Sequence, residues 1–173
     1  MKGKCVIVMG VSGCGKSTIA KAIAKDMNAT FLEGDDFHSQ SNIDKMKAGI
    51  PLTDEDRRGW LESIHAKIES FTENGSDCVV SCSALKHKYR DVLRENLEHI
   101  LFVYLKGSFE LIHSWMEKRK HHFMPPELLK SQFDTLEEPN ADEKDVITAE
   151  INKDIDDEML NILQQLKERN FFS

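Results

Sequence analysis

Apolar positions along this chain follow two alternating rhythms. Short, nearly continuous apolar runs occupy residues 4–9 (KCVIVM), 77–82 (DCVVSC), 100–105 (ILFVYL) and 146–151 (VITAEI), with a weaker run at 30–32 (TFL). Their length and β-branched content mark them as buried strands. Between them, apolar residues recur every third or fourth position. Residues 16–27 read as a helix with Ile19, Ile23, Ala24 and Met27 on one face, and residues 41–48 as a helix stopped by Gly49 and Pro51. Thr53-Asp-Glu-Asp56 reads as the capped, acidic start of a helix that carries Trp60, Leu61, Ile64, Ile68 and Phe71 and ends near Asn74-Gly75. Residues 86–97 turn Tyr89, Val92, Leu93 and Leu97 inward. Ser108 caps a helix to Lys120, Pro125-Pro126 opens one to Glu137, and a last helix uses Ile155, Met159, Ile162, Leu163 and Leu166. Strands alternating with helices predict parallel crossovers, hence an α/β sandwich with five strands in one doubly wound sheet. Ligands of such sheets sit at the carboxyl ends of strands. No repeat, low-complexity tract or linker interrupts the pattern, so residues 1–173 read as one domain.

Composition narrows the class. A net charge of −7 over 173 residues argues against a nucleic-acid-binding surface but leaves room for a small acidic ligand in a local basic pocket. No apolar stretch approaches the roughly 20 residues that span a bilayer. The N-terminal run leads straight into a glycine motif that cleavage of a signal peptide would destroy, so a cytoplasmic protein is expected. Cys5, Cys14, Cys78 and Cys82 form no CxxC pair and read as buried thiols.

The chemistry enters after the first strand. Gly10-Val-Ser-Gly-Cys-Gly15-Lys16-Ser17-Thr18 matches the P-loop pattern in full, between a strand and a helix. Glycines let successive N–H groups curl inward, and the helix N-terminus adds partial positive charge. All nine residues (Gly10, Val11, Ser12, Gly13, Cys14, Gly15, Lys16, Ser17, Thr18) are therefore expected around the phosphates of ATP. Lys16 supplies a mobile charge, Ser17 a hydroxyl for Mg2+, and Thr18 reaches another phosphate. Cys14, beside a lysine and a helix N-terminus, is a candidate for a lowered thiol pKa.

A guanine-reading NKxD is absent: Asn152-Lys153 is followed by Ile155 at the fourth position, and Asp56-Arg-Arg-Gly59 lies inside a helix. Nor does the strand at 77–82 end in the aspartate of a Walker-B ATPase; it ends Ser81-Cys82-Ser83. The acidic groups must come from Glu33-Gly34-Asp35-Asp36. In an extended chain Glu33 and Asp35 point the same way, so that one holds Mg2+ through water while the other takes a proton from an attacking hydroxyl; an acidic turn bent at Gly34 explains the spacing equally well. Lys45, Lys47, Arg57, Arg58, Lys86, Arg90 and Arg94 follow, and those that converge would neutralise a substrate carboxylate. Lys118-Arg119-Lys120-His121-His122 precedes the Pro-Pro break, an arrangement suited to a lid that brings Arg119 over the phosphates. The adjacent histidines lack the companion ligands of a metal site.

In order, GVSGCGKST, LEGDDFH (32–38), NIDKM (42–46), PLTDEDRRGWL (51–61), CSALKHKYRDVLR (82–94), FVYLKG (102–107), RKHHFM (119–124) and LLKSQFDTLEEP (128–139) resemble the bacterial-type thermoresistant gluconokinases, relatives of shikimate kinase. The resemblance runs from about residue 4 to 151 and is most specific in the 82–94 and 128–139 stretches. It implies MgATP-dependent phosphorylation of D-gluconate to 6-phosphogluconate, a sheet of order 2-3-1-4-5, a substrate-binding helical region over about 38–72, a lid over about 119–139, and a homodimer. It further implies Asp35 beside the reacting hydroxyl, His38 on the sugar acid, Arg57 as carboxylate clamp, Lys86 and Arg90 as a substrate-side basic pair, Arg119 as the lid arginine and Gln132 as the lid-side glutamine. Catalysis then rests on Lys16, Asp35 and Arg119, and metal binding on Ser17 with Glu33 or Asp35. The chain departs from the family in having Glu33 where Asp is frequent and His121 where Gly is frequent.

Overall fold

Five strands, β1 (Cys5–Met9), β2 (Thr30–Glu33), β3 (Cys78–Ser81), β4 (Ile100–Lys106) and β5 (Val146–Glu150), pair in parallel in the order β2-β3-β1-β4-β5. The computed structural model describes residues 2–118, 126–151 and 155–171. Every residue of β1 and β3 is buried, which explains their continuous apolar sequences: helices cover both faces, so no side points to water. The edge strand β5 alternates between buried and exposed positions.

Among the described residues seven helices accompany the strands, six between them and one after the last: α1 (Lys16–Met27), α2 (Gln40–Lys47), α3 (Asp54–Glu73), α4 (His87–Arg94), α5 (Phe109–Lys118), α6 (Pro126–Thr135) and α7 (Ile155–Glu168). The apolar faces predicted for α1 and α3 are the buried ones. At the start of α3, Thr53 accepts from the Asp56 N–H while Asp56 accepts from the Thr53 N–H, a reciprocal cap worth about 1 kcal/mol.

Most boundaries shift by a residue or so from expectation, and two of the shifts have local reasons. Asp77 is not in β3, because its carboxylate caps the Lys4 N–H at 2.8 Å. Helix α4 stops at Arg94 rather than residue 97, since Asn96 adopts a left-handed conformation (φ 58°). Of the two readings of the acidic segment, the turn bent at Gly34 is the one observed, as a 3-10 turn over Gly34–Phe37 immediately after β2.

Candidate active site

The carboxyl ends of β1, β2 and β3 meet at one place. From β1 the chain enters the glycine loop and then α1, whose N-cap Gly15 sits at φ 94°, a left-handed conformation that side chains resist. Gly10 N–H is anchored to the Ser83 carbonyl at 3.2 Å, and Val11, Cys14 and Gly15 are buried. Lys16 Nζ reaches across the loop to the Val11 carbonyl at 2.9 Å. Gly13 packs under α5, Ser12 donates its N–H to Gln132 Oε1 at 2.6 Å, and Thr18 is exposed.

The acidic segment divides its work. Glu33 ends β2 directly opposite Ser81 of β3. Its two carboxylate oxygens accept from two hydroxyls, Ser17 at 2.7 Å and Ser81 at 2.6 Å. The extended reading that put Glu33 and Asp35 on one side is corrected here: the 3-10 turn begins at Gly34 and separates them. This turn needs a glycine, because a Cβ at Gly34 would lie 2.0 Å from the Ser81 carbonyl oxygen. Trp60 of α3 pins the turn by donating from Nε1 to the Gly34 carbonyl at 2.8 Å. Asp35 thereby faces a cleft instead of Ser17.

That cleft encloses about 590 Å³, counting the solvent at its mouth. Ser12, Lys16, Asp35, His38, Arg57 and Gln132 line it, with Met46, Pro51, Leu52, Trp60 and Leu128 as apolar wall. Six residues singled out in the sequence thus converge from the P-loop, the 3-10 turn, α3 and α6. His38 stacks on Trp60 with ring centroids 4.1 Å apart. Burial lowers the His38 pKa; Asp35 opposes the shift and Arg57 adds to it. The ring is therefore neutral at pH 7. Asn42, itself buried, gives one amide hydrogen to the Asp56 carbonyl (2.8 Å) and lies 3.3 Å from His38 Nδ1. With Nδ1 accepting, Nε2 carries the proton.

Arg57 is only 7 % exposed, and its side-chain hydrogen bond among the described residues is from Nη1 to Tyr89 Oη at 3.0 Å. No carboxylate among those residues pairs with it, an unusual condition for a buried guanidinium. The rest of its donor fork is available at the cleft.

Of the basic set only Arg57 lines the cleft, and the expected substrate-side pair, Lys86 and Arg90, lies elsewhere. Lys86 Nζ donates to Asp54 at 2.9 Å and does not line the cleft. Arg90 is fully buried and holds Glu143 through two parallel hydrogen bonds of 2.8 Å, while also donating to the carbonyls of Ala84 (2.9 Å) and Glu137 (3.0 Å). Its expected substrate contact is thus corrected to an anchoring role. Basicity was legible in the sequence, but the carboxylate that consumes it lies 53 residues away. Burial alone would raise the Glu143 pKa; Arg90 and Arg94 overcome this and hold it at about 2. Ala84 adopts a left-handed backbone (φ 45°), which costs roughly 1 kcal/mol or more for a non-glycine residue, and Arg90 grips its carbonyl. Ser83, the neighbour that anchors Gly10, is fixed by the same turn.

All four cysteines are buried. Burial pushes the Cys82 thiol up to about 12. Arg119, the paired histidines and Asn152 lie outside the described residues. Sequence reasoning missed Ser81, Asn42 and Tyr89; the one available signal was Ser81 at the strand end where a Walker-B carboxylate was sought.

The donors around Ser17 are all oxygens, namely one carboxylate and two hydroxyls, and no cluster of three His, Cys, Asp or Glu forms among the described residues. Such a set suits Mg2+, which keeps several waters and shares ligands with substrate phosphates, better than a metal enclosed by protein.

A complete P-loop on a 2-3-1-4-5 parallel sheet, facing a cleft with one carboxylate and one unpaired arginine, defines a P-loop kinase of small molecules. A family model described as shikimate kinase matches residues 12–167. The thermosensitive gluconokinase of Escherichia coli K12 is 45% identical over 168 residues, covering 97% of this chain and 88% of that one. A gluconokinase structure from Sinorhizobium meliloti 1021 is 41% identical with a TM-score of 0.85, covering 98% and 96% of the two chains. An unliganded sugar kinase from Janibacter sp. HTCC2649 is 40% identical with a TM-score of 0.91, covering 99% of each chain. This chain belongs to the gluconokinase family.

Proposed function

We propose that the enzyme transfers the γ-phosphoryl group of ATP to the terminal hydroxyl of D-gluconate, giving 6-phospho-D-gluconate and ADP. The observation that carries the choice of acceptor is Arg57. A buried cation that pairs with no carboxylate among the described residues, at the wall of a cleft that also holds Asp35 and Lys16, calls for an anionic ligand with a hydroxyl to offer. Gluconate has its carboxylate at one end and its reacting hydroxyl at the other.

Residues 10–18 cradle the phosphates with backbone N–H groups. Lys16 leaves the Val11 carbonyl and follows the γ-phosphoryl group. Magnesium, when bound with the nucleotide, would neutralise phosphate charge, and Ser17 with Glu33 would hold it, Glu33 through water. Arg57 binds the acceptor carboxylate bidentately and neutral His38 donates from Nε2 to a sugar hydroxyl. Asp35 takes the proton of the attacking hydroxyl as its oxygen bonds to phosphorus. The bond from phosphorus to the bridging oxygen breaks, and its electron pair leaves with ADP. Gln132, released from the Ser12 N–H by the incoming phosphate, turns to the acceptor. Arg119 completes the charge balance from the lid. Alignment and fixed charge supply most of the catalysis, and closure keeps water from competing for the phosphoryl group.

In this reading the chain works as one kinase domain, with residues 38–72 holding the acceptor and 119–139 closing over it. It acts in the cytoplasm, as a homodimer by family resemblance, which sedimentation tests. No helix among the described residues is long and apolar enough to cross a membrane.

Comparing D-gluconate with glucitol, its uncharged polyol, tests the Arg57 assignment. Wild type should favour gluconate by at least roughly 100-fold in kcat/KM, and Arg57→Ala should erase most of that preference. Equal discrimination in the variant would contradict it.

A further inference from the structure

Arg57 must present a correctly aimed guanidinium that pairs with no carboxylate among the described residues. Among those residues one side-chain hydrogen bond fixes it, and that contact has its own support. Tyr89 on α4 accepts from Arg57 Nη1 at 3.0 Å, and the guanidinium carbon lies 5.5 Å from the Tyr89 ring centroid. The Tyr89 hydroxyl accepts from Arg57 because its own proton is committed: it donates to Asp54 Oδ1 at the start of α3. Burial first, and then the Asp54 hydrogen bond, push the Tyr89 pKa up, so the phenol keeps that proton.

Asp54 carries a negative charge near a cation needed for substrate, yet it does not reach Arg57. Lys86 Nζ at 2.9 Å and Lys88 Nζ at 2.5 Å occupy both its carboxylate oxygens. These two lysines satisfy the carboxylate that orients Tyr89, so the charge of Arg57 remains for the ligand. Lys86 also lies 5.8 Å from the Tyr89 ring centroid.

We infer that Tyr89 is a positioning residue for acceptor binding: with Asp54, and with Lys86 and Lys88 behind it, it aims Arg57 at the acceptor carboxylate while leaving that arginine's charge uncompensated. The inference rests on the reading of Arg57 as the carboxylate clamp. It also gives Lys86 a role that reaches the substrate through Asp54, Tyr89 and Arg57 in turn.

Tyr89→Phe keeps the buried ring and removes the oxygen. Measured on the full chain with MgATP, it should raise the gluconate KM roughly 10-fold, the scale of one hydrogen bond to a charged group. It should change kcat less than about threefold and leave the ATP KM and turnover of glucitol unmoved. A gluconate KM equal to wild type, or a parallel rise in gluconate and ATP KM, would overturn the inference, the latter by exposing a merely structural role. Asp54→Asn, at an exposed position, serves if Tyr89→Phe fails to fold: it should raise the gluconate KM in the same direction and by less. An unchanged KM would overturn the chain of support. The wild-type arm separates this from the substrate reading. Wild type inert toward gluconate contradicts the choice of acceptor, whereas the positioning role fails when wild type uses gluconate and the variants either use it equally well or lose gluconate and ATP in parallel.

Discussion

Lys16 and Asp35 approach the same cleft from different elements, and each has a task no neighbour can take over. Lys16 is the P-loop cation, and Asp35 is the carboxylate that the Gly34 turn sets in the cleft, while Glu33 is occupied by Ser17 and Ser81; the proposed function gives Asp35 the proton of the attacking hydroxyl. Lys16→Ala and Asp35→Asn should each lower turnover at least roughly 100-fold. A near-wild-type Asp35→Asn would remove Asp35 from the chemistry. His38 adds a pH prediction. Its folded pKa lies below the usual 6.5, chiefly through burial, so protonation comes only as pH falls past the normal histidine range. Its Nδ1 should go on accepting from Asn42 through pH 6.5, and the acid limb of kcat/KM for gluconate, where protonation of Nδ1 breaks that contact, should lie below that value. A His38-dependent limb at or above 6.5 would contradict the neutral assignment. That the P-loop, Asp35, His38 and Arg57 belong together was legible, the P-loop and the acidic segment from their own chemistry, His38 and Arg57 through the family resemblance, and all of them meet at one cleft. Ser81 and Tyr89 were not, because their roles depend on partners 48 and 32 residues away. A serine ending a strand and a tyrosine on an apolar helix face look like core until β2 pairs with β3 and α3 packs on α4.

At the scale of elements, periodicity gave the strands, the helices and their faces, since burial on one or two sides writes itself directly into sequence. It did not give the 3-10 turn, whose shape is set by Trp60 reaching the Gly34 carbonyl and by the contact of Gly34 with β3. Nor did it distinguish Arg57 from Arg90. Both are buried, but one meets Glu143 and the other faces the cleft. The anchoring role of Arg90 predicts a stability loss. Arg90→Ala leaves Glu143 buried without its main partner and releases the Ala84 turn, which should cost roughly 3–5 kcal/mol. For a chain of this size the melting temperature should fall by about 10 °C. If calorimetry found an unchanged melting temperature and only the gluconate KM rose, Arg90 would be returned to the substrate.

For the whole molecule, the sheet order brings three strand ends, the phosphate loop and the acceptor wall to one edge, with α6 laid over it through Gln132 and Leu128. A net charge of −7 coexists with that local positive site because the acidic residues are spread over the surface while Lys16 and Arg57 converge. If this edge phosphorylates gluconate, a panel of acceptors shows it directly. ADP release, coupled to a spectroscopic readout with MgATP, should be followed against D-gluconate, 2-keto-gluconate, shikimate, glycerate, AMP and buffer alone. Strong turnover with D-gluconate and near-background rates with the others is the predicted result. ATP binding with silence on gluconate, or preferred turnover of shikimate or AMP, would contradict it.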